Sequence, residues 1–313
     1  MEQKRILIYG AGVIGSVLAG RLARIRHNVT ILARGKRLSE IRERGVLIQR
    51  NNQVKPQKVP VTVIDKLEKS DTYDYIIVAL RGEQVDDILP VLHENKTENI
   101  VFMVNNPLGY NKWMELVGSD RVIPAFPGAG GKIKDGIIYY DIVSRFIQPT
   151  TFGELAGIQT KRVTTLMHLV RSAGFPVAFS RNMDAWQKTH LAMVIPLAEG
   201  IYWAGGNNYT TARNKEAIRK MAVSLKENFD FIEQCGIGIE PGKLKLIRLL
   251  PVRLLTFVLK SVYKTRWAES VISNHALAAR SEMKYLSDQF ISLADSLNYD
   301  LKMLKEMRKQ EAK

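Results

Sequence analysis

Ile6-Leu7-Ile8-Tyr9-Gly10-Ala11-Gly12-Val13-Ile14-Gly15 is the stretch on which the reading of this chain turns. Four apolar residues of strand length run straight into glycines spaced G-x-G-x-x-G. Beyond them Val13, Val17, Leu18 and Leu22 recur at helical spacing, and Val29-Thr30-Ile31-Leu32 supplies a second strand. The whole is a strand–helix–strand unit of about 30 residues with its glycines in the first turn. There Gly10 permits the tight turn, Gly12 lets the backbone approach a pyrophosphate, and Gly15 lets the helix pack closely on the strand. The helix start adds unpaired N–H donors and a partial positive charge. Gly10, Ala11, Gly12, Val13, Ile14 and Gly15 are therefore expected to bind a dinucleotide through its phosphates.

The end of the second strand bears on which dinucleotide. An NAD site usually places Asp or Glu there to hold the ribose 2′-hydroxyl. This chain reads Leu32-Ala33-Arg34-Gly35-Lys36-Arg37, with no acid before Glu40. A carboxylate repels a 2′-phosphate, whereas a guanidinium grips it on two oxygens. NADP(H) is expected, with Arg34 as the clamp and Lys36 or Arg37 as helpers. Further strands are expected at residues 59–64, 75–80, 100–104 and 122–126, with a helix over 83–93. Two strand ends are polar, Leu80-Arg81-Gly82 and Val104-Asn105-Asn106-Pro107. In a doubly wound sheet such ends can meet the ligand, so Arg81 and Asn106 are candidate cofactor contacts, with ordinary loops as the alternative reading.

The alternation of strands and helices stops near Gly174-Phe175-Pro176-Val177, and from Asn182 the pattern is helical, with breaks at Gly205-Gly206, 236–242 and near Asn298. Asn182 or Asp184 is placed to cap the first of these helices. The expected fold class is an α/β N-terminal Rossmann domain, residues 1–181, binding NADP(H), plus an all-α C-terminal domain, residues 182–313, carrying substrate and catalysis. An active site is expected where the two meet. Between Trp186 and Glu199 Lys188 is the only charge on an apolar helix, which suits either a general acid or a snorkelling lysine at a helix start. Glu199 itself is expected on the exposed side.

Composition narrows the alternatives. The chain of 313 residues has 46 Lys+Arg against 31 Asp+Glu and a single cysteine, Cys235. That count excludes a disulfide framework and multi-cysteine metal sites. The five histidines show no metal-ligand spacing, so no metal is expected. No apolar run is long enough to span a membrane and no secretory signal opens the chain, so a cytoplasmic protein is expected. The formal charge of +15 is local: residues 1–58 carry +10 and residues 243–266 carry +7. Neither zone has a nucleic-acid-binding pattern, and no nucleic acid partner is expected. Segment 243–266 is both apolar and cationic. A core helix pair with snorkelling basic residues is the favoured reading, and contact with a membrane surface the less favoured one.

The chain resembles the ketopantoate reductases (2-dehydropantoate 2-reductases), NADPH-dependent oxidoreductases that make pantoate for coenzyme A synthesis. The resemblance rests on Gly10 to Gly15, Arg34, Asn106, Trp186-Gln187-Lys188 and Arg280-Ser281-Glu282-Met283-Lys284-Tyr285. It implies that Lys188 donates a proton to the substrate carbonyl oxygen as hydride arrives from nicotinamide. It implies that Glu282 orients Lys188 and substrate, that Ser270 holds the substrate carboxylate, and that Asn106 lies near nicotinamide ribose and substrate. The small-molecule partner is then a 2-oxo acid, and a homodimer is an option.

The departures from the family pattern carry information. Arg81 replaces a lysine and Pro107 a glycine. Two substrate-binding asparagines beyond the lysine are here Ala192 and Pro196. A site built on those hydrogen bonds discriminates against their loss, so a bulkier or more apolar 2-oxo acid fits better, or an NADPH sensor without turnover. Pro196 has no N–H and frees the Ala192 carbonyl, which is expected to accept a hydrogen bond from the ligand.

Overall fold

The computed structural model describes residues 2–311, except for the side chains of Ser270, Gln310 and Glu311. The strands are β1 (Arg5–Tyr9), β2 (Asn28–Leu32), β3 (Val46–Arg50), β4 (Gln57–Val59), β5 (Thr62–Ile64), β6 (Tyr75–Val78), β7 (Ile100–Met103), β8 (Val122–Phe126), β9 (Ala129–Lys134), β10 (Ile137–Ile142), β11 (Thr150–Gly153) and β12 (Val177–Ser180). Eight of them form one sheet in the order β12-β11-β8-β7-β6-β1-β2-β5. Every pairing in it is parallel except β11 on β8.

A parallel strand covered on both faces must be apolar on both. β6, β7 and β8 are buried throughout, as is β1 after Arg5. Successive side chains go to opposite faces. Ile6, Ile8, Ile31 and Ile77 join one core with Val17, Leu18 and Leu22 of the helix Val13–Arg24. Leu7, Tyr9, Ile76 and Val78 join another with Leu89, Leu92 and Trp113. The chain leaves β1 for β2 on one side and returns to β6 on the other, so strand order reverses at β1. The carboxyl end of β1, where the glycine turn stands, is thus the switch point at which such sheets bind ligands.

Two expectations fail and one sheet was missed, each for a local reason. Residues 59–64 are not one strand: Pro60 lacks an N–H and parts β4, which pairs with β3, from β5, which pairs with β2. The helix over 83–93 is two short 3-10 turns, Gly82–Gln84 and Asp86–Ile88, before a helix at Leu89–Glu94 that carries Pro90 in its first turn. Pro90 has no N–H with which to bond the Asp86 carbonyl four residues back, so the helix starts there rather than at residue 83. A second sheet, β4-β3-β10-β9, was not foreseen; β9 reads Ala-Gly-Gly-Lys-Ile-Lys, which lacks an apolar strand pattern.

The chain divides into two compact units, one holding residues up to Val104 with Tyr110–Met183, the other Asn105–Gly109 with the chain from Asp184 onward. The second unit is helical, with principal helices Met183–Trp203, Lys215–Gln234, Val252–Tyr263 and Arg280–Ser296. Leu191, Ile195, Met221, Leu225, Phe229, Leu259, Leu286 and Phe290 fill its core.

Candidate active site

In the first unit the glycine turn is built as its spacing requires. Gly10 has φ +119°, and a Cβ there would stand 2.6 Å from the Ala79 carbonyl oxygen at the end of β6. A Cβ on Gly15 would stand 1.9 Å from the Gly10 carbonyl oxygen. These two glycines are demanded by the protein's own backbone. Gly12 is different: a Cβ there would meet no protein atom within 4 Å. The space it leaves lies at the start of the helix Val13–Arg24, whose first turn has no acid and whose cap makes no side-chain hydrogen bond. Open space beside helix N–H groups is a fit for a phosphate. Val13 and Ile14 are half-buried in that first turn. The Ala11 carbonyl accepts from Ser16 Oγ at 3.1 Å and from Arg37 Nε at 3.2 Å, which fixes the loop from behind.

Arg37 is thus a brace, also paired with Glu40 at 2.6 Å. Lys36 projects into solvent with Glu40 at 3.8 Å. Arg34 is exposed at the end of β2, its Nη2 3.5 Å from the Tyr9 hydroxyl. Burial raises the Tyr9 phenol above its ordinary pKa, partly offset by Arg34. Arg81 is exposed just beyond β6, with its N–H donating to Gln84 Oε1 at 3.2 Å.

In the second unit Lys188 lies one helical turn beyond Asp184, and both Asp184 oxygens accept from its Nζ at 2.5 Å. An acid four residues before a lysine, in a first turn, complements both the lysine and the helix dipole. The lysine side chain is 9% exposed, so this pair neutralises a nearly buried cation. The loop residue Gly109, φ +83°, lies against it: a Cβ there would be 3.3 Å from Asp184 Oδ1 and 3.7 Å from Lys188 Nζ. The same loop supplies Asn105, whose Nδ2 donates to Glu282 Oε1 at 3.2 Å. Glu282 stands in the first turn of Arg280–Ser296. Tyr202, from the lysine helix, holds the approach to that turn: its hydroxyl donates to the Ala276 carbonyl at 2.7 Å and its ring carries the Arg280 guanidinium at 4.9 Å.

Several expectations are corrected here. The carboxylate that holds Lys188 is Asp184, not Glu282, because Asp184 sits one turn away on the same helix while Glu282 bonds Asn105. Asn106 spends its amide inside its own turn, donating to the Gly109 carbonyl at 2.5 Å and accepting from Leu108 N at 3.1 Å; it shapes the loop that presents Asn105 and Gly109. The Ala192 carbonyl is not left free for a ligand alone: the buried Asn228 donates to it at 3.2 Å. Glu199 is buried rather than exposed, with Arg308 at 3.5 Å. The Ser270 side chain lies outside the described residues. Asp184 and Asn105 are the site residues whose roles the sequence did not disclose. The signal for Asp184 was its four-residue spacing from Lys188; Asn105 and Glu282 are too far apart in the chain to be paired by inspection.

Among the described residues no cluster of His, Cys, Asp and Glu is grouped as a metal site, and no helix is long and apolar enough to cross a membrane. The switch-point glycine turn and the parallel sheet define the first unit as a Rossmann-type dinucleotide-binding fold, and the lysine stands in the helical unit. Residues 6–156 match the family described as ketopantoate reductase PanE/ApbA. The likeness continues beyond it. A 2-dehydropantoate 2-reductase of Pyrococcus horikoshii is 24% identical over 301 residues, 95% of this chain and 92% of its own. The 2-dehydropantoate 2-reductase structure from Geobacter metallireducens has a TM-score of 0.78 at 14% identity, covering 99% of this chain and 100% of that one. D-mandelate dehydrogenase with NADH and anilino(oxo)acetate has a TM-score of 0.76 at 14% identity, covering 98% and 97%.

Proposed function

We propose that this chain reduces a 2-oxo acid to the 2-hydroxy acid with NADPH. The observation that carries the reading is the loop Asn105–Gly109, which touches both Glu282 and the Asp184–Lys188 pair and so gathers the family's two ionisable positions at one place. When bound, the reduced dinucleotide supplies hydride to the carbonyl carbon. Lys188 Nζ gives a proton to the carbonyl oxygen and regains one from solvent, so one hydride and one proton convert the ketone to the alcohol. Asp184 holds the ammonium group in place between turnovers. Glu282, fixed by Asn105, orients substrate, and Ser270 takes the substrate carboxylate. Arg34 binds the 2′-phosphate, which favours NADPH over NADH; Arg81 and the Gly10–Gly15 turn hold the remainder of the cofactor.

Ketopantoate is the family substrate. Ala192 and Pro196 offer no side-chain amide, and the D-mandelate dehydrogenase likeness supports a bulkier, aromatic 2-oxo acid as the competing choice. The test is NADPH oxidation against a panel of aliphatic and aromatic 2-oxo acids, ketopantoate included. Turnover of ketopantoate above all others assigns the family reaction, and preference for an aromatic acid assigns the other substrate. Tight NADPH binding without turnover of any acid overturns the enzymatic reading.

A further inference from the structure

Residues 243–266 hold seven basic side chains and no acid, and the reaction uses none of them. They fold as a short helix Lys245–Leu249, a break at Pro251 and the helix Val252–Tyr263, both packed against Lys215–Gln234. Lys226 from that helix secures the break, donating to the carbonyls of Arg248 and Leu250. In the longer helix Leu255, Leu259 and Tyr263 are buried. The core-pair reading therefore accounts for only one of its faces. On the opposite side Leu254, Phe257 and Val258 form a stripe at helical spacing that is left in solvent, Phe257 68% exposed. Leu246 and Leu249 of the short helix are 64% and 72% exposed. Arg253, Lys260 and Lys264 follow one edge of the stripe at intervals of seven and four residues, all exposed.

Apolar side chains standing out beside a row of cations match the surface of an anionic bilayer, where acyl chains take the apolar stripe and headgroups the cations. The alternative of a second copy is opposed by charge: two-fold pairing through this face would set one acid-free basic segment against another. We propose that residues 246–264 dock this protein on anionic lipid, lying on the surface.

Flotation of the full chain with phosphatidylcholine vesicles, and with vesicles containing added phosphatidylglycerol, tests this at low and high salt. Binding is expected only to the anionic vesicles and is lost as salt screens the cations. Arg253→Ala with Lys260→Ala should lower apparent affinity about 30-fold, at about 1 kcal/mol per cation. Leu254→Ser with Phe257→Ser should weaken it independently, with NADPH binding retained as the check of folding. No binding, equal binding to both vesicles, or binding indifferent to both double variants overturns the proposal. So does a dimer in sedimentation that Leu254→Ser with Phe257→Ser converts to monomer, which would make the face a self-association surface.

Discussion

At the scale of single residues the site is a matter of who holds whom. Lys188 is nearly buried and needs a counter-ion, and Asp184 supplies it from one turn away. Replacing Lys188 by Ala is expected to lower kcat by about 10²–10⁴, the range of a lost general acid, with the dissociation constant of NADPH unchanged. Equal loss of NADPH binding and turnover would contradict that role. Asp184→Asn keeps the shape and removes the charge; it should lower kcat about tenfold, some 1.4 kcal/mol of barrier, with KM little changed and rescue by Asp184→Glu. A merely structural Asp184 would show neither the split nor the rescue. Arg34→Ala removes a charge-assisted contact worth about 1.5–3 kcal/mol, so KM for NADPH should rise at least tenfold while KM for NADH stays put. Lys188 and Arg34 stood out in the sequence by chemical type and place in a pattern, and Glu282 only by the family resemblance. Asp184 looked like a helix cap, because a cap and an i,i+4 counter-ion occupy the same turn. Glu199 looked solvated because nothing in its neighbourhood of sequence shows Arg308 arriving from the last helix.

At the scale of elements, the glycine turn separates folding from binding. Gly15→Ala drives a methyl into the Gly10 carbonyl, which backbone cannot yield cheaply, and should cost about 3 kcal/mol of stability in denaturant titration. Gly12→Ala meets no protein atom and should cost at most about 1 kcal/mol, the scale of a helix N-cap change, while abolishing NADPH binding. If Gly12→Ala binds NADPH normally, the turn is structural and the cofactor reading of this loop falls. The same distinction explains what the sequence disclosed. Strands buried on both faces announce themselves as apolar runs, and β1, β2, β6, β7 and β8 were found that way. β10 pairs with β9 on one side and β3 on the other, in a sheet where glycines and lysines dilute the apolar pattern of β9. Pro60 and Pro90 changed the course of two segments whose apolar content alone suggested one strand and one helix.

At the scale of the molecule, charge and acid are coupled to stability through groups that folding keeps neutral. Dense packing around its half-buried imidazole, with His275 nearby, holds His190 down to a pKa of about 3. His27 is also lowered, chiefly by burial, and its Nδ1 accepts from Lys4 N at 3.2 Å. Unfolded histidines bind protons near pH ~6.5. Their folded counterparts decline the proton until lower pH, so the unfolded state binds more protons and is favoured as pH falls. The stability these rings allow is therefore complete above about pH 6.5 and declines toward pH 3 for His190, with a slope of at most about 1.4 kcal/mol per pH unit for each ring. A chain already carrying +15 gains further positive charge over the same range, which adds repulsion to the loss. The two effects separate in His190→Gln, which keeps a polar planar side chain and removes the titration. Denaturant midpoints measured across this interval should fall less steeply for His190→Gln than for the parent, by about one proton's worth of slope. Parallel curves would assign the acid sensitivity to net charge and leave His190 without a part in it.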